Sequence, residues 1–207
     1  MASAEQLPPE PIPRWLAVPS EANSAPVWSR PVAEPGGRPP AVWLLGAHGG
    51  AGVSTLEKMW APAGDSRRGW PAADATPFVV IVSRMQVSGL DAAHQLALQH
   101  RAQKVGACSL LGLVTVAAAP GKPAVSVVRR REIVAAAAGT SWHIDWMPEL
   151  LSTPLADLAT WQPGYTAPAV KRLARPLPPT DAVPASAVGA IEDIFAAARE
   201  QWRLRKS

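Results

Sequence analysis

The stretch Gly46-Ala47-His48-Gly49-Gly50-Ala51-Gly52-Val53-Ser54-Thr55-Leu56 directly follows the apolar run Ala41-Val42-Trp43-Leu44-Leu45. A short apolar run bounded by glycine reads as a buried strand, here Val42 to Leu45. Gly49, Gly50 and Gly52 permit a tight bend with backbone angles that other residues avoid. Ser54 and Thr55 suit the first turn of a helix. Strand, glycine bend and helix in that order bring backbone N–H groups and the positive end of a helix dipole to one place. That is an arrangement suited to receiving anions.

The loop approaches the phosphate-loop pattern G-x-x-x-x-G-K-[ST]. Gly52 takes the second glycine and Ser54 the hydroxyl that ligates magnesium, whereas Ala47 replaces the first glycine and Val53 the lysine. Gly49-Gly50-Ala51-Gly52 and Ser54-Thr55 fit the deviant form K-G-G-x-G-K-[ST] better, with both lysines replaced, by His48 and Val53. In this the chain resembles the MinD and ParA class of P-loop ATPases. It is closest in pattern to the CpaE and TadZ relatives that lack the second lysine. It also resembles an uncharacterised actinobacterial family with the same Gly46–Leu56 loop.

That resemblance implies a reduced parallel-sheet α/β domain with candidate nucleotide contacts at His48, Gly49, Gly50, Ala51, Gly52, Val53, Ser54 and Thr55. Ser54 is the candidate magnesium ligand, and ATP with magnesium the implied cofactor, weakly bound or lost. A charge-assisted hydrogen bond contributes roughly 1.5–3 kcal/mol, so loss of the lysine weakens binding by about tenfold to a hundredfold. Arg84, after the next strand, is the candidate substitute cation. The strand-end carboxylate expected beside it is missing, because that strand ends in Ser83-Arg84. Asp65, Asp74, Asp91 and Asp145 are weaker magnesium candidates. The implied role is a degenerate nucleotide-binding protein or pseudo-ATPase. It would serve as a positioning or assembly partner in an actinobacterial mobile-element, secretion or conjugation setting. Two alternatives stand beside it: an active ATPase with arginine in place of lysine, and a basic DNA-associated accessory protein.

The chain has 207 residues, 23 of them proline, and nine of its twelve aromatic residues are Trp. Residues 1–40 are rich in Pro, Ser, Glu and Ala and sustain no hydrophobic period, which predicts a disordered arm. Trp15 and Trp28 interrupt it, either as partner-binding spots or as a chain end lying on its own domain. The α/β domain is expected over 41–175, a linker over 176–185 and an amphipathic helix over 186–207. Between them, a helix is read at Ser54–Trp60, loop at Asp65–Pro77 and a buried strand at Phe78–Val82. Ser88 is read as the cap of a helix from Gly89 to Lys104, with Asp91 in its first turn. A strand follows over Leu110–Ala118, a helix over Val128–Ala138 and a short strand over Ser141–Trp146. The resemblance to MinD and ParA continues through Phe78–Leu98, Leu111–Val114 and Ile144–Leu155.

Val188, Ile191, Phe195, Ala198 and Trp202 mark one face of the terminal helix. Net charge is +4 with a sequence pI near 9.7, which permits acidic partners without requiring them. Arg129, Arg130 and Arg131 are the candidate nucleic-acid contact. A protein partner or a homodimer is expected, and a membrane is not. The lone Cys108 excludes an internal disulfide and reads as a buried thiol. No charged start with an apolar signal segment is present, so the cytoplasm is the expected compartment.

Overall fold

A computed structural model describes residues 24–32, 39–72, 75–168 and 177–206. Five strands form one all-parallel sheet in the order β2-β1-β3-β4-β5. They are β1 (Val42–Gly46), β2 (Ala63–Asp65), β3 (Phe78–Arg84), β4 (Ser109–Val116) and β5 (Thr140–Ile144). The helices are α1 (Val53–Met59), α2 (Val87–Arg101), α3 (Val125–Ala138) and α4 (Ala185–Lys206). The protein is therefore an α/β fold with a parallel sheet, as the alternation of apolar runs and helices requires.

The chain runs one way along the sheet from β1 to β2 and the other way from β3 to β5. Right-handed crossovers then place α1 on one face and α2 and α3 on the other. The two cores follow that division. Leu56 and Met59 of α1 pack with Ile191 and Ile194 of α4 on the face that carries Leu44, Val80 and Val82. Leu90, Ala93 and Ala97 of α2 pack with Val134 of α3 on the face that carries Leu45, Val79 and Ile81. Every residue of β1 is buried, which is why the strand reads as a continuous apolar run rather than an alternating one.

The structure corrects several expectations. Ala63–Asp65 is an edge strand paired with β1, not the end of a helix running into loop. No side chain caps α2: Gln86 holds the cap position, and Ser88 lies inside the helix. The turn is instead closed by backbone, with Gln86 N–H donating to Arg84 O at 2.9 Å. Asp91 thus falls past the first turn and pairs with Arg130. α2 also ends at Arg101, because Gln103 turns left-handed and Lys104 N–H closes on Gln99 O at 3.1 Å. α3 begins at Val125, so Arg129–Arg131 sit in its second turn rather than at its start.

α4 lies on the sheet, but its face is rotated from the expected one. Ala187, Ala190, Ile191, Ile194 and Ala198 are buried, Val188 and Phe195 are partly buried, and Trp202 is 44 % exposed. The small alanines let the helix approach the sheet closely. Ile191 and Ile194, fully buried, contribute about 1.5–3 kcal/mol each. Of the expected linker, Pro179 O accepts Ala159 N–H and Val183 is buried, so this stretch is packed onto the body.

The connection from β2 to β3 crosses the sheet without a helix among its described residues. Its place is taken by Trp70, fully buried, and by residues 24–32. Trp28 N–H donates to Trp70 O at 2.9 Å and Trp70 N–H to Pro26 O at 2.8 Å. The Trp28 indole donates to Ser66 O at 2.8 Å. Gln99, 3 % exposed, fixes the assembly. Its Oε1 accepts Ala25 N–H and the Trp70 indole, both at 3.0 Å. Its Nε2 donates to Ala25 O at 2.8 Å and Lys104 O at 3.0 Å. All four hydrogen-bonding positions of the amide are used. Trp28 therefore belongs to a segment docked on the domain rather than to a disordered arm. Residues 1–23 with Trp15, residues 33–38, Asp74 and residues 169–176 lie outside the described residues.

Two stability predictions follow from this packing. Gln99→Ala leaves Ala25 N–H and the Trp70 indole unpaired, so urea unfolding should show a loss of at least about 2 kcal/mol; an unchanged midpoint would contradict the clamp. The second concerns pH. Burial lowers the pKa of His94, with Arg130 adding to the effect and Asp91 opposing it. Burial lowers that of His100, whose Nε2 accepts Leu110 N–H at 3.2 Å. Burial and then Arg131 lower that of His143, against Asp145 and a backbone hydrogen bond at Thr115. The unfolded chain therefore takes up protons near the ordinary value of 6.5 that the folded chain refuses. Stability is greatest above that pH and falls as pH drops through it toward the lower folded values. The melting temperature should be lower at acid pH than at neutral pH, with the drop reduced in His100→Gln. Equal melting temperatures would refute this.

Candidate functional site

The reversal of chain direction puts the switch point of the sheet between β1 and β3, where ligands of open α/β sheets bind outside the carboxyl ends of the strands. The glycine loop lies there. Ala47 N–H continues the ladder to Val82 O at 2.9 Å, and Ala51 N–H closes a turn on His48 O at 3.3 Å. Gly50 (φ 79°) and Gly52 (φ 104°) take left-handed conformations that a side chain would strain. Leu56 N–H makes the first helical bond, to Gly52 O at 3.1 Å. Among the described residues, no protein acceptor faces the amides of Gly49, Gly50 and Gly52, nor those of Val53, Ser54 and Thr55 in the first turn of α1.

His48 and Arg84 meet at this point, but they face the protein. His48 Nε2 accepts Arg84 N–H at 3.2 Å, which leaves Nδ1–H to donate to Gly49 O at 2.9 Å. Arg84 donates through Nε to Gly50 O at 3.2 Å and through Nη1 to Ala117 O at 2.8 Å. The two side chains brace the loop against the ends of β3 and β4. Gly89 in the first turn of α2 makes room for them. A Cβ there would lie 2.7 Å from His48 Nε2, 2.8 Å from Arg84 O and 2.9 Å from Ser83 Oγ.

Beside the loop is a cleft of about 140 Å3. Gly52, Thr55 and Arg84 line one side, and Asp145, Trp146 and Met147 the other. Thr55, not Ser54, lines it; Ser54 is exposed outside. Val53 packs back toward the core, its methyl 3.1 Å from where a Gly46 Cβ would stand. Asp145, late in the chain, is brought to the same cleft as the loop, while Asp65 and Asp91 are not among its lining residues. Asp65 accepts Arg67 N–H at 2.7 Å. Among the described residues no group of three His, Cys, Asp or Glu side chains is placed to hold a metal ion.

The arginine run is divided. Arg130 pairs with Asp91, Arg131 donates to Thr115 Oγ1 at 3.2 Å and to Ser141 Oγ at 3.4 Å, and Arg129 is exposed. Thr115 is the group that sequence reading missed. Its hydroxyl donates to Trp142 O at 3.0 Å, so its oxygen accepts from Arg131 and from His143 Nδ1–H, the latter at 3.0 Å. His143 thereby lines a second cleft, of about 230 Å3, between Met85–Val87 and the loop 117–124. Only the register of β4 against β5 places Thr115 opposite His143. Cys108 is buried with its thiol against Pro71 O, and burial pushes its pKa up to about 11, as expected of a buried thiol. No helix among the described residues is long and apolar enough to cross a membrane.

The bracing of the loop is testable at Gly89. Gly89→Ala drives a methyl into backbone at Arg84 as well as into His48. It should cost about 1–3 kcal/mol in urea unfolding and shift the His48 ring resonances. Wild-type stability would contradict the contact.

No curated protein and no solved structure matches the chain. Residues 40–171 match the model of a family of unknown function, DUF6668. That span is well over half of the sequence, and the chain belongs to this family.

Proposed function

We propose that the protein is a degenerate P-loop domain that binds a nucleotide phosphate weakly at Gly49–Thr55, does not hydrolyse it, and works as a positioning or assembly partner. The observation that carries this reading is the set of unpaired loop amides beside the cleft at the β1–β3 switch point. Arg84 supports it by holding a positive charge at the cleft wall, and Asp145 and Thr55 by standing on its two sides. Magnesium, where bound, would be held by Thr55 and Asp145 and would neutralise phosphate charge. Val53 in the lysine position supports the loss of turnover, since phosphoryl transfer relies on cations placed on the transferring group. Leu151 and Leu155, exposed at 77 % and 45 %, lie in and just beyond the segment that walls the cleft and support an assembly role. The mobile-element, secretion or conjugation setting rests on resemblance alone.

The test is calorimetry with ATP and magnesium, with Gly52→Asp as the blank. Wild type should bind weakly and show no turnover. Val53→Lys, shown to be folded by circular dichroism, should bind about tenfold to a hundredfold more tightly. Unchanged affinity in that variant would remove the P-loop reading. The place of Arg84 at the cleft favours one second reading, an ATPase that uses arginine for lysine. Wild-type turnover that disappears in Arg84→Ala would select it.

A further inference from the structure

A cavity of about 360 Å3 opens at the other end of the sheet, below the amino ends of β1 and β3 and beside the last turns of α4. It is separate from the loop cleft, because Ala41, just before β1, and Phe78, the first residue of β3, stand at the amino ends of those strands, opposite the loop. Its size falls within the roughly 300–1,000 Å3 of small-molecule sites.

The walls are aromatic and the rim is cationic. Phe78, Phe195 and Trp202 line it, with Arg199 and Arg203 beside them. Phe78 and Trp202 meet edge to face, centroids 6.0 Å apart, so one wall is a fixed pair of rings. Trp202 is 44 % exposed, whereas Trp60 and Trp70 are fully buried. Arg205 and Lys206 are already engaged: Arg205 lies over Phe78 and donates to Ser109 Oγ at 2.6 Å, and Lys206 lies over Trp202. Arg199 and Arg203 are four residues apart, hence neighbours on the helix surface. Neither has an ion-pair partner among the described residues, where Arg130–Asp91 is the one salt bridge. The helix dipole accounts for a cation in the last turn, at Arg203, but its effect does not reach back to Arg199.

An apolar floor with two unpaired guanidinium groups at its edge suits a ligand with a flat apolar body and an acidic head. We propose that this cavity binds a small amphipathic anion, an arylcarboxylate in chemical class, with its rings against Phe78, Phe195 and Trp202 and its acid on Arg199 and Arg203.

The full chain is titrated with naphthalene-2-acetate and, separately, with its uncharged primary amide, by calorimetry and by the indole N–H signals of the tryptophans. The carboxylate should bind with a Kd on the order of 100 μM, given its few non-hydrogen atoms. It should move the Trp202 signal, identified by its loss in Trp202→Phe. The amide should bind at least about tenfold more weakly, for want of charge-assisted hydrogen bonds. The double variant Arg199→Gln/Arg203→Gln should bind both probes alike at an unchanged melting temperature, and Arg203→Lys should keep part of the preference. Gly52→Asp in the loop should change nothing here. Equal affinity for the two probes, no binding at about 1 mM, or a preference that survives in the folded double variant would each overturn the proposal.

Discussion

The connection between β2 and β3 crosses one face of the sheet with no helix among its described residues, and much of the structure answers to that gap. A parallel sheet must be covered on both faces. Here the cover over β1 and β3 is a buried indole, Trp70, with residues 24–32 laid over it. Such irregular cover brings backbone N–H and C=O groups into a dry layer, where each needs a partner. Gln99 supplies three such bonds and a fourth to the Trp70 indole, all from one side chain. Four of the nine tryptophans share one physical role. Trp28, Trp60, Trp70 and Trp142 each combine a large apolar ring with one N–H donated to a fixed acceptor. They act as covers that lock in place.

At the carboxyl ends of the strands the same economy applies. His48 and Arg84 are the residues that chemistry would send to a phosphate. Both spend hydrogen bonds on the loop's own carbonyls. A loop with three glycines has high conformational entropy when free. Bracing it from β3 and β4 keeps its amides presented rather than collapsed onto its own carbonyls. Rigidity and charge are thus drawn from the same side chains, and Arg84 serves the cleft only through the part of its guanidinium that the bracing leaves over.

The strong features were legible in the sequence because each rests on a local pattern. β1, β3 and β4 are continuous apolar runs, the glycine loop is punctuated on both sides, and α3 ends at Gly139 as expected. β2 was not legible: three residues, Ala63-Gly64-Asp65, have neither β-branching nor alternation and become a strand only because β1 offers a free edge. The α4 face was read one step off because alanine gives little hydrophobic signal, yet Ala187 and Ala190 set how close the helix lies. The Arg131–Thr115–His143 cluster and the meeting of Asp145 with the loop are long-range products of strand register, and nothing local announces them. His48 and Arg84 were identified as the residues at the loop, but residue type alone does not say whether a polar group faces outward or inward.

Each face of the sheet is closed in part by a segment far away in sequence. The bond between Ala25 and Gln99 spans 74 residues, and the bond from the Trp60 indole to Ala187 O spans 127. Contacts so distant along the chain form late and slow folding. During synthesis the early segment waits for α2 before it has a seat. The face carrying Leu44, Val80 and Trp60 stays uncovered until α4, well after β5 in the chain, has left the ribosome. The order of translation therefore leaves the nascent sheet half-dressed after its last strand has been made, and a chaperone that shields apolar surface would find its substrate in that interval.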